Sequence, residues 1–165
     1  MGICDSITRG LMRVNQRHEV ANASISGETT TGGAARIGAA LETHRPEIVV
    51  IELGANDGLR GQNLDVMQRN LEKMIDASQR AKAQVLLVGM RLPPNYGTAY
   101  TEKFQRTYAE LARSKKTALV PFLLEGFAED ARYFQSDRVH PTGEAQALML
   151  DTVWKGLKPL LKRPR

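Results

Sequence analysis

The chain has 165 residues, of which 42% are hydrophobic and 25% are charged, and its net charge is +5. This composition is that of one globular domain, which we expect to span residues 1–165, and it argues against a disordered, collagen-like or coiled-coil protein. A single cysteine, Cys4, excludes an intrachain disulfide and a multi-cysteine zinc site. No apolar run approaches the roughly 20 residues that span a bilayer, so no stable membrane anchor is predicted.

The positive charge is spread along the chain and mixed with carboxylates, and only residues 115–116 and 162–165 form short basic clusters. Aromatic residues make up 5% of the chain and do not alternate with the basic residues as stacking platforms for bases would. We therefore expect a solvated surface and no nucleic-acid partner.

The hydrophobic pattern predicts strands that alternate with helices. In chain order it predicts a weak strand over 19–23, a helix over 32–44 that ends before Pro46, a strand over 47–53, a helix over 64–81, a strand over 84–89, a helix over 99–114, a strand over 118–122 and a helix over 143–161. The strands are short, apolar and β-branched, which is typical of buried parallel strands. This order predicts an α/β sandwich around a parallel sheet.

Parallel α/β folds bind ligands beyond the carboxyl ends of their strands, so the residues that follow each strand are candidates. In residues 53–58 two glycines flank an Asn-Asp pair, which predicts a tight turn that aims the Asn56 amide at the crevice. The alternative is an ordinary turn, because these residue types are common in turns. After the weak strand, Gly27 precedes a helix and its N–H can donate to an anion, although the segment also fits a helix-entry loop capped by serine and threonine.

Two further segments carry residues suited to nucleophilic catalysis. Pro141 biases His140 away from helical geometry, and Asp137, three residues earlier, can fold back to the imidazole and fix its tautomer, as a general base requires. Near the start, Ser6 is a candidate nucleophile, and the alternative is a helix N-cap. Cys4 is a weak alternative nucleophile, since a lone cysteine is more often a small buried apolar residue.

Taken together, these segments resemble, in order, the four sequence blocks of the SGNH hydrolases, also called GDSL esterases. Within that superfamily the chain is similar to the bacterial thioesterase I, lysophospholipase L1 and arylesterase group, from about residue 20 to the C-terminus. The runs that carry the likeness are NASISG at 22–27, VIELGANDGLRG at 50–61, RLPPNYG at 91–97 and VPFLLEG at 120–126.

The resemblance implies a three-layer α/β/α sandwich with a mostly parallel, flavodoxin-like sheet and a serine hydrolase acting on acyl esters or thioesters. Ser6 would be the nucleophile, His140 the base and Asp137 the residue that orients it. The N–H groups of Ser6 and Gly27 and the side-chain amide of Asn56 would form the oxyanion hole. No metal and no organic cofactor is implied.

The resemblance also implies where the substrate lies. Residues 58–63 would form a mobile loop beside the acyl-binding crevice, and the loop over residues 93–96 would line it. The substrate-binding residues carried over are Asp57, Gly58, Leu59, Arg60, Pro94, Asn95 and Tyr96. The partner would be a small acyl ester or thioester, and we expect a monomer.

The start of the chain departs from the family pattern. Only four residues precede Asp5, and nine lie between Gly10 and Val20, so the first strand and first helix are expected to be abbreviated. The family's Gly-Asp-Ser is Cys4-Asp5-Ser6 here. A catalytically impaired relative that only binds acyl ligands is therefore the alternative function. A flavodoxin-like nucleotide-binding module is disfavoured, because no Gly-x-Gly-x-x-Gly or Walker-type loop follows any strand.

The expected compartment depends on whether a signal peptide is present. Residues 1–5 reach a carboxylate before any apolar core, so no signal peptide is predicted in the chain as given. We expect a cytoplasmic protein from the chain as it stands, and a periplasmic or secreted one if a signal peptide preceded Met1.

Overall fold

A computed structural model describes residues 19–161. These residues divide into two compact units, Ile25–Phe122 and a second that combines 19–24 with 123–161. The expected short first strand and first helix, with Cys4 and Ser6, lie outside the described residues. The single domain expected over 1–165 stays a prediction.

The first unit contains a parallel sheet of three strands in the order β1 (Ile48–Ile51), β2 (Gln84–Val88) and β3 (Ala118–Val120). Ile48 pairs with Gln84, and Leu86 pairs with Ala118. The three main predicted strands are confirmed, each shorter than expected. Strand β3 ends before Pro121, which has no N–H to continue a ladder.

Four helices and one 3₁₀ turn accompany this sheet in the first unit. They are α1 (Thr30–His44), α2 (Ala55–Leu59), α3 (Leu64–Arg80), the 3₁₀ turn Pro94–Tyr96 and α4 (Thr98–Lys115). The predicted helices over 32–44, 64–81 and 99–114 are confirmed to within two residues at each end. Helix α2 was not predicted, because its five residues read as a turn.

The apolar stripe of α3 accounts for much of the core of this unit. Its six predicted inward positions are all buried, namely Leu64, Met67, Leu71, Met74, Ile75 and Ser78. Phe104 and Tyr108 of α4 are fully buried and meet edge to face, with ring centroids 5.4 Å apart. Each fully buried side chain of this size contributes about 1.5–3 kcal/mol by leaving water. The buried side chains of α3 and α4 therefore anchor the strand ends that carry the candidate site.

The second unit contains a 3₁₀ turn, Ala131–Tyr133, and the helix α5 (Gln146–Leu161). Helix α5 begins three residues later than predicted, because the Ala145 N–H closes a turn onto the Thr142 carbonyl. No helix within residues 19–161 combines the length and the apolar character needed to cross a membrane.

The weak strand predicted over 19–23 is absent. Val20 is half-buried, and the other residues of this segment are exposed and extended without strand pairing. The Asn22 side chain accepts a hydrogen bond from the Ser24 N–H, which turns the chain. A segment with one large apolar residue and an asparagine turn buries too little surface to hold a strand, so this prediction was wrong.

Candidate active site

Gly54 makes the sharp connection from strand β1 into helix α2. Its φ of 113° lies in the left-handed region, which favours glycine, and a Cβ at this position would collide with the Tyr108 hydroxyl. That hydroxyl donates to the Leu53 carbonyl at 3.0 Å. This close packing fixes where α2 starts and therefore where Asn56, its second residue, projects.

Helix α2 holds the segment that precedes α1 by two side chains one helical turn apart. The Asn56 side-chain amide donates to the Glu28 carbonyl at 2.9 Å, and the Arg60 guanidinium donates to the Gly27 carbonyl at 2.9 Å. Arg60 is the C-cap of α2 and lies four residues after Asn56, so the two side chains point to the same side and hold two consecutive carbonyl groups.

Asp57, between these two residues, has a role that the sequence did not predict. Its carboxylate is buried and accepts hydrogen bonds from the Thr30 N–H at 2.9 Å and from the Thr30 hydroxyl at 2.5 Å. Thr29, the N-cap of α1, makes no side-chain cap. Asp57 therefore caps α1 from 27 residues away, where its charge also favours the helix N-terminus.

Gly27 precedes Glu28, the residue whose carbonyl Asn56 holds, so the two predicted oxyanion donors lie in neighbouring segments. Gly27 is exposed with a φ of 74°, and its N–H has no hydrogen-bond acceptor within residues 19–161. The Asn56 amide uses one hydrogen on Glu28 and retains its second. The arrangement can therefore present one backbone and one side-chain N–H to a developing negative charge, and the oxyanion role of the two residues stays a prediction.

The predicted substrate-binding residues occupy two neighbouring segments. Gly58 is buried, Leu59 is half-buried and Arg60 is exposed, while Pro94 and Asn95 are exposed beside a half-buried Tyr96. The Tyr96 hydroxyl donates to the Leu59 carbonyl at 2.8 Å, and the Tyr100 hydroxyl donates to the Gln62 carbonyl at 2.7 Å. The 59–62 loop is thus held by two tyrosines, and sequence reasoning missed the second.

The predicted base and its partner lie together in the second unit. Oδ2 of Asp137 is 2.8 Å from Nδ1 of His140. Oδ1 of Asp137 accepts the N–H groups of Val139 and His140 at 2.9 and 3.0 Å. These hydrogen bonds, the His140 N–H first among them, lower the pKa of Asp137 to about 2, so the carboxylate stays ionised through the neutral and mildly acidic range.

The backbone of this loop is closed by its own hydrogen bonds. The Gln135 N–H donates to the His140 carbonyl at 2.8 Å, and Phe134 bridges Pro141 in antiparallel fashion. Arg138 makes the turn in the left-handed region with a φ of 57°. The loop, as predicted, precedes α5, and the His140 side chain is 70% exposed. With Nδ1 donating to Asp137, Nε2 carries the free lone pair that a general base needs.

Glu52, directly after strand β1, is a half-buried titratable group that the sequence did not single out. Burial raises the pKa of Glu52 to about 7, and burial followed by the charges of Glu52 and Asp57 raises the pKa of Tyr108. The Tyr108 hydroxyl therefore remains a donor at every physiological pH. A carboxyl in an otherwise apolar strand, IVVIEL, was the available signal.

No group of three or more His, Cys, Asp or Glu side chains able to hold a metal ion occurs within the described part of the chain. Ser6 lies outside that part, so its role as the nucleophile stays a prediction.

Comparisons with known proteins identify relatives over most of the chain. Residues 4–148 match the GDSL-like lipase/acylhydrolase family. The chain is 50% identical over 144 residues to the esterase TesA of Pseudomonas aeruginosa, covering 87% of this chain and 72% of that protein. It is 40% identical over 142 residues to thioesterase 1/protease 1/lysophospholipase L1 of Escherichia coli, covering 86% and 68%.

The fold is shared as well. The crystal structure of TesA superposes with a TM-score of 0.93 at 46% identity, covering 96% of this chain and 88% of that one. The predicted three-layer α/β/α class with a mostly parallel sheet is thereby confirmed. Because the family match spans most of the sequence, the chain belongs to the GDSL-like lipase/acylhydrolase family.

Proposed function

We propose that this protein is a serine hydrolase that cleaves acyl esters and acyl thioesters of small molecules. The Ser6 hydroxyl is the nucleophile, His140 is the general base and Asp137 orients and stabilises His140. The N–H groups of Ser6 and Gly27 and the second amide hydrogen of Asn56 receive the oxyanion. The relatives described above, an esterase and a thioesterase/lysophospholipase, support this substrate class.

The observation that carries the proposal is the 2.8 Å hydrogen bond from His140 Nδ1 to an Asp137 carboxylate that two backbone N–H groups also hold. A merely structural histidine needs no such fixed and ionised partner. Here the carboxylate selects the tautomer with a basic Nε2 and stabilises the imidazolium that forms when the base takes a proton.

The reaction proceeds in two acyl-transfer steps. Nε2 of His140 accepts the Ser6 proton as the Ser6 oxygen attacks the carbonyl carbon, and the carbonyl oxygen becomes an oxyanion. The tetrahedral species expels the alcohol or thiol, which takes the proton from His140. Water then attacks the acyl-enzyme with the same base, and the acid product leaves while Ser6 regains its proton.

Covalent labelling tests the proposal most directly. A fluorophosphonate should label wild-type protein on Ser6, and the Ser6→Ala variant should not react. Labelling should slow sharply in His140→Ala, because the base no longer activates the hydroxyl. Ser24→Ala is the matched control, since it removes another serine hydroxyl from the chain and should label like wild type.

Steady-state hydrolysis of p-nitrophenyl acetate and of an acyl-CoA separates the two leaving groups. Turnover of either by wild type and its loss in Ser6→Ala supports the proposal. A folded wild type that binds fatty acid but neither labels nor turns over would instead be the impaired relative that only binds acyl ligands.

The remaining expectations stay predictions. They are a monomeric state, the lack of a nucleic-acid partner and of a stable membrane anchor, and a compartment set by whether a signal peptide precedes Met1.

A further inference from the structure

The 59–62 loop is held at both ends by tyrosine hydroxyls from one neighbouring segment. Tyr96, at the end of the 3₁₀ turn, donates to the Leu59 carbonyl at 2.8 Å. Tyr100, in the first turn of α4, donates to the Gln62 carbonyl at 2.7 Å and approaches the Gly58 carbonyl at 3.5 Å. The two residues that the tyrosines hold flank Arg60 and Gly61.

Tyr100 is itself fixed. Tyr100 packs against the buried core of the first unit. Burial, followed by the charge of Asp57 and by Tyr96, raises the pKa of Tyr100, so its hydroxyl remains a hydrogen-bond donor. A loop expected to be mobile is thus tied to the start of α4.

Arg60 lies within the 59–62 loop, and its side chain contacts Gly27, a candidate oxyanion-hole residue. Its side chain is exposed and donates to the Gly27 carbonyl at 2.9 Å. Asn56 and Asp57 hold Glu28 and Thr30, whereas Arg60, the C-cap of α2, holds the glycine itself. Gly27 has no side chain to restrict it. This hydrogen bond holds the peptide group that carries the Gly27 carbonyl, and so restricts the adjoining peptide group that carries the Gly27 N–H.

We propose that Arg60 is a positioning residue that sets the direction of the Gly27 N–H. The hydroxyls of Tyr96 and Tyr100 hold the loop that carries Arg60 in place. The inference rests on the proposed function and adds two predictions to it. First, the direction of the Gly27 N–H depends on Arg60, which is exposed. Second, the position of Arg60 depends on the hydroxyls of Tyr96 and Tyr100. A misplacement of about 1 Å in a catalytic group can cost on the order of 10²-fold in rate, so a partial loss of alignment should be measurable.

Kinetics of Arg60 variants test the first step. Arg60→Met should lower kcat for p-nitrophenyl acetate about tenfold with little change in KM or melting temperature, since the residue is exposed. Arg60→Lys, which retains one donor, should recover part of the loss. Arg69→Met removes an exposed arginine from α3 and is the matched control. An unchanged kcat in Arg60→Met, a loss confined to KM, or a parallel loss of melting temperature would overturn the assignment.

A double-mutant cycle tests the second step. Tyr96→Phe/Tyr100→Phe should lower kcat to a similar extent, and adding Arg60→Met to it should cost little more, because both changes release the same alignment. Fully additive losses would contradict a pathway through the tyrosines. Tyr133→Phe, in the second unit, is the control for loss of a hydroxyl.

Proteolysis and hydrogen exchange test the coupling between the tyrosine hydroxyls, Arg60 and Gly27 without measuring catalysis. Trypsin should cut the Arg60–Gly61 bond about tenfold faster in Tyr96→Phe/Tyr100→Phe than in wild type, because the freed loop fits a protease more readily. Exchange in a peptide covering residues 25–30 should be faster in Arg60→Met. Unchanged cutting and exchange would overturn the inference. If both change while wild type shows no hydrolysis, the proposed function fails and the coupling stands.

Discussion

Two segments that carry candidate catalytic residues, one in each unit, are built in opposite ways. The loop that presents His140 is exposed, and its side-chain hydrogen bonds join residues two to six positions apart. The segment that presents Gly27 is held from helix α2 and its C-cap Arg60 by hydrogen bonds that span 27 to 33 positions, two of them to the buried Asp57. The first segment is set by local sequence, whereas the second depends on the whole unit having folded.

Because of this difference, we expect mutations in the two segments to affect activity and stability differently. Removing an exposed side chain from the local loop leaves groups that water can satisfy, so chemistry should suffer and stability should not. Removing a buried cap leaves unpaired polar groups inside the unit, so stability should fall with activity. The following predictions test this separation, from the largest expected effect to the smallest.

His140→Ala should lower kcat/KM for p-nitrophenyl acetate by about 10³-fold, because it removes the general base. The melting temperature should change little, since the side chain is 70% exposed. His44→Ala, at the exposed end of α1, controls for loss of a histidine and should keep full activity. Activity of His140→Ala within a few-fold of wild type would contradict the assignment.

Asn56→Ala should lower kcat by about 10²-fold or more if its amide stabilises the oxyanion. The lost hydrogen bond to Glu28 should cost only about 1 kcal/mol of stability. Asn63→Ala is the matched control, because Asn63 caps α3 through the Asp65 N–H and its loss should cost about 1 kcal/mol with kcat unchanged. Equal kinetic behaviour of the two variants would make Asn56 a turn residue only.

Asp57→Ala should destabilise the protein by about 2–4 kcal/mol, because the buried N–H and the hydroxyl proton of Thr30 lose their acceptor. Asp137→Ala removes the same type of side chain, also with two hydrogen-bonded oxygens, from an exposed loop. It should lower activity and leave the unfolding midpoint in urea nearly unchanged. A larger stability loss at Asp137 than at Asp57 would reverse the comparison.

Glu52→Gln should raise stability at pH 8 and change it little at pH 5. Burial raises the folded-state pKa of Glu52 to about 7, above the value of 4.5 taken for the exposed group. The contribution of a protonated Glu52 is therefore complete below pH 4.5 and is lost as the pH rises through 7. Melting curves at the two pH values check this, with Glu102→Gln on the exposed face of α4 as the control. A pH-independent shift would show that the charge of Glu52 is not involved.

The sequence predicted the features that depend on neighbours along the chain. The α3 stripe is buried because one helical period determines its inward face, and Asp137 meets His140 because three residues suffice to close the loop. Both are properties of short stretches, so a pattern carries them.

What the sequence missed depends on distant partners. Residues 53–58 read as a turn, and only the packing of Tyr108 against Gly54 shows that a helix starts there. The hydrogen bonds by which Asp57 caps α1 at Thr30 join residues 27 positions apart, so no periodic sequence pattern predicts them. The strand expected over 19–23 failed for the related reason that strand formation requires partners that its own residues do not specify.

Seven basic residues of the chain lie at or near the C-terminal ends of helices. Arg45 and Lys116 are left-handed C-caps, Lys82 follows the C-cap of α3, and the final turns of α3, α4 and α5 add Arg80, Arg113, Lys115 and Lys158. Cations there interact favourably with the partial negative charge of a helix C-terminus. These seven residues exceed the whole net charge of +5, so without them the chain would be acidic. The positions of these seven cations are thus accounted for by how the helices end.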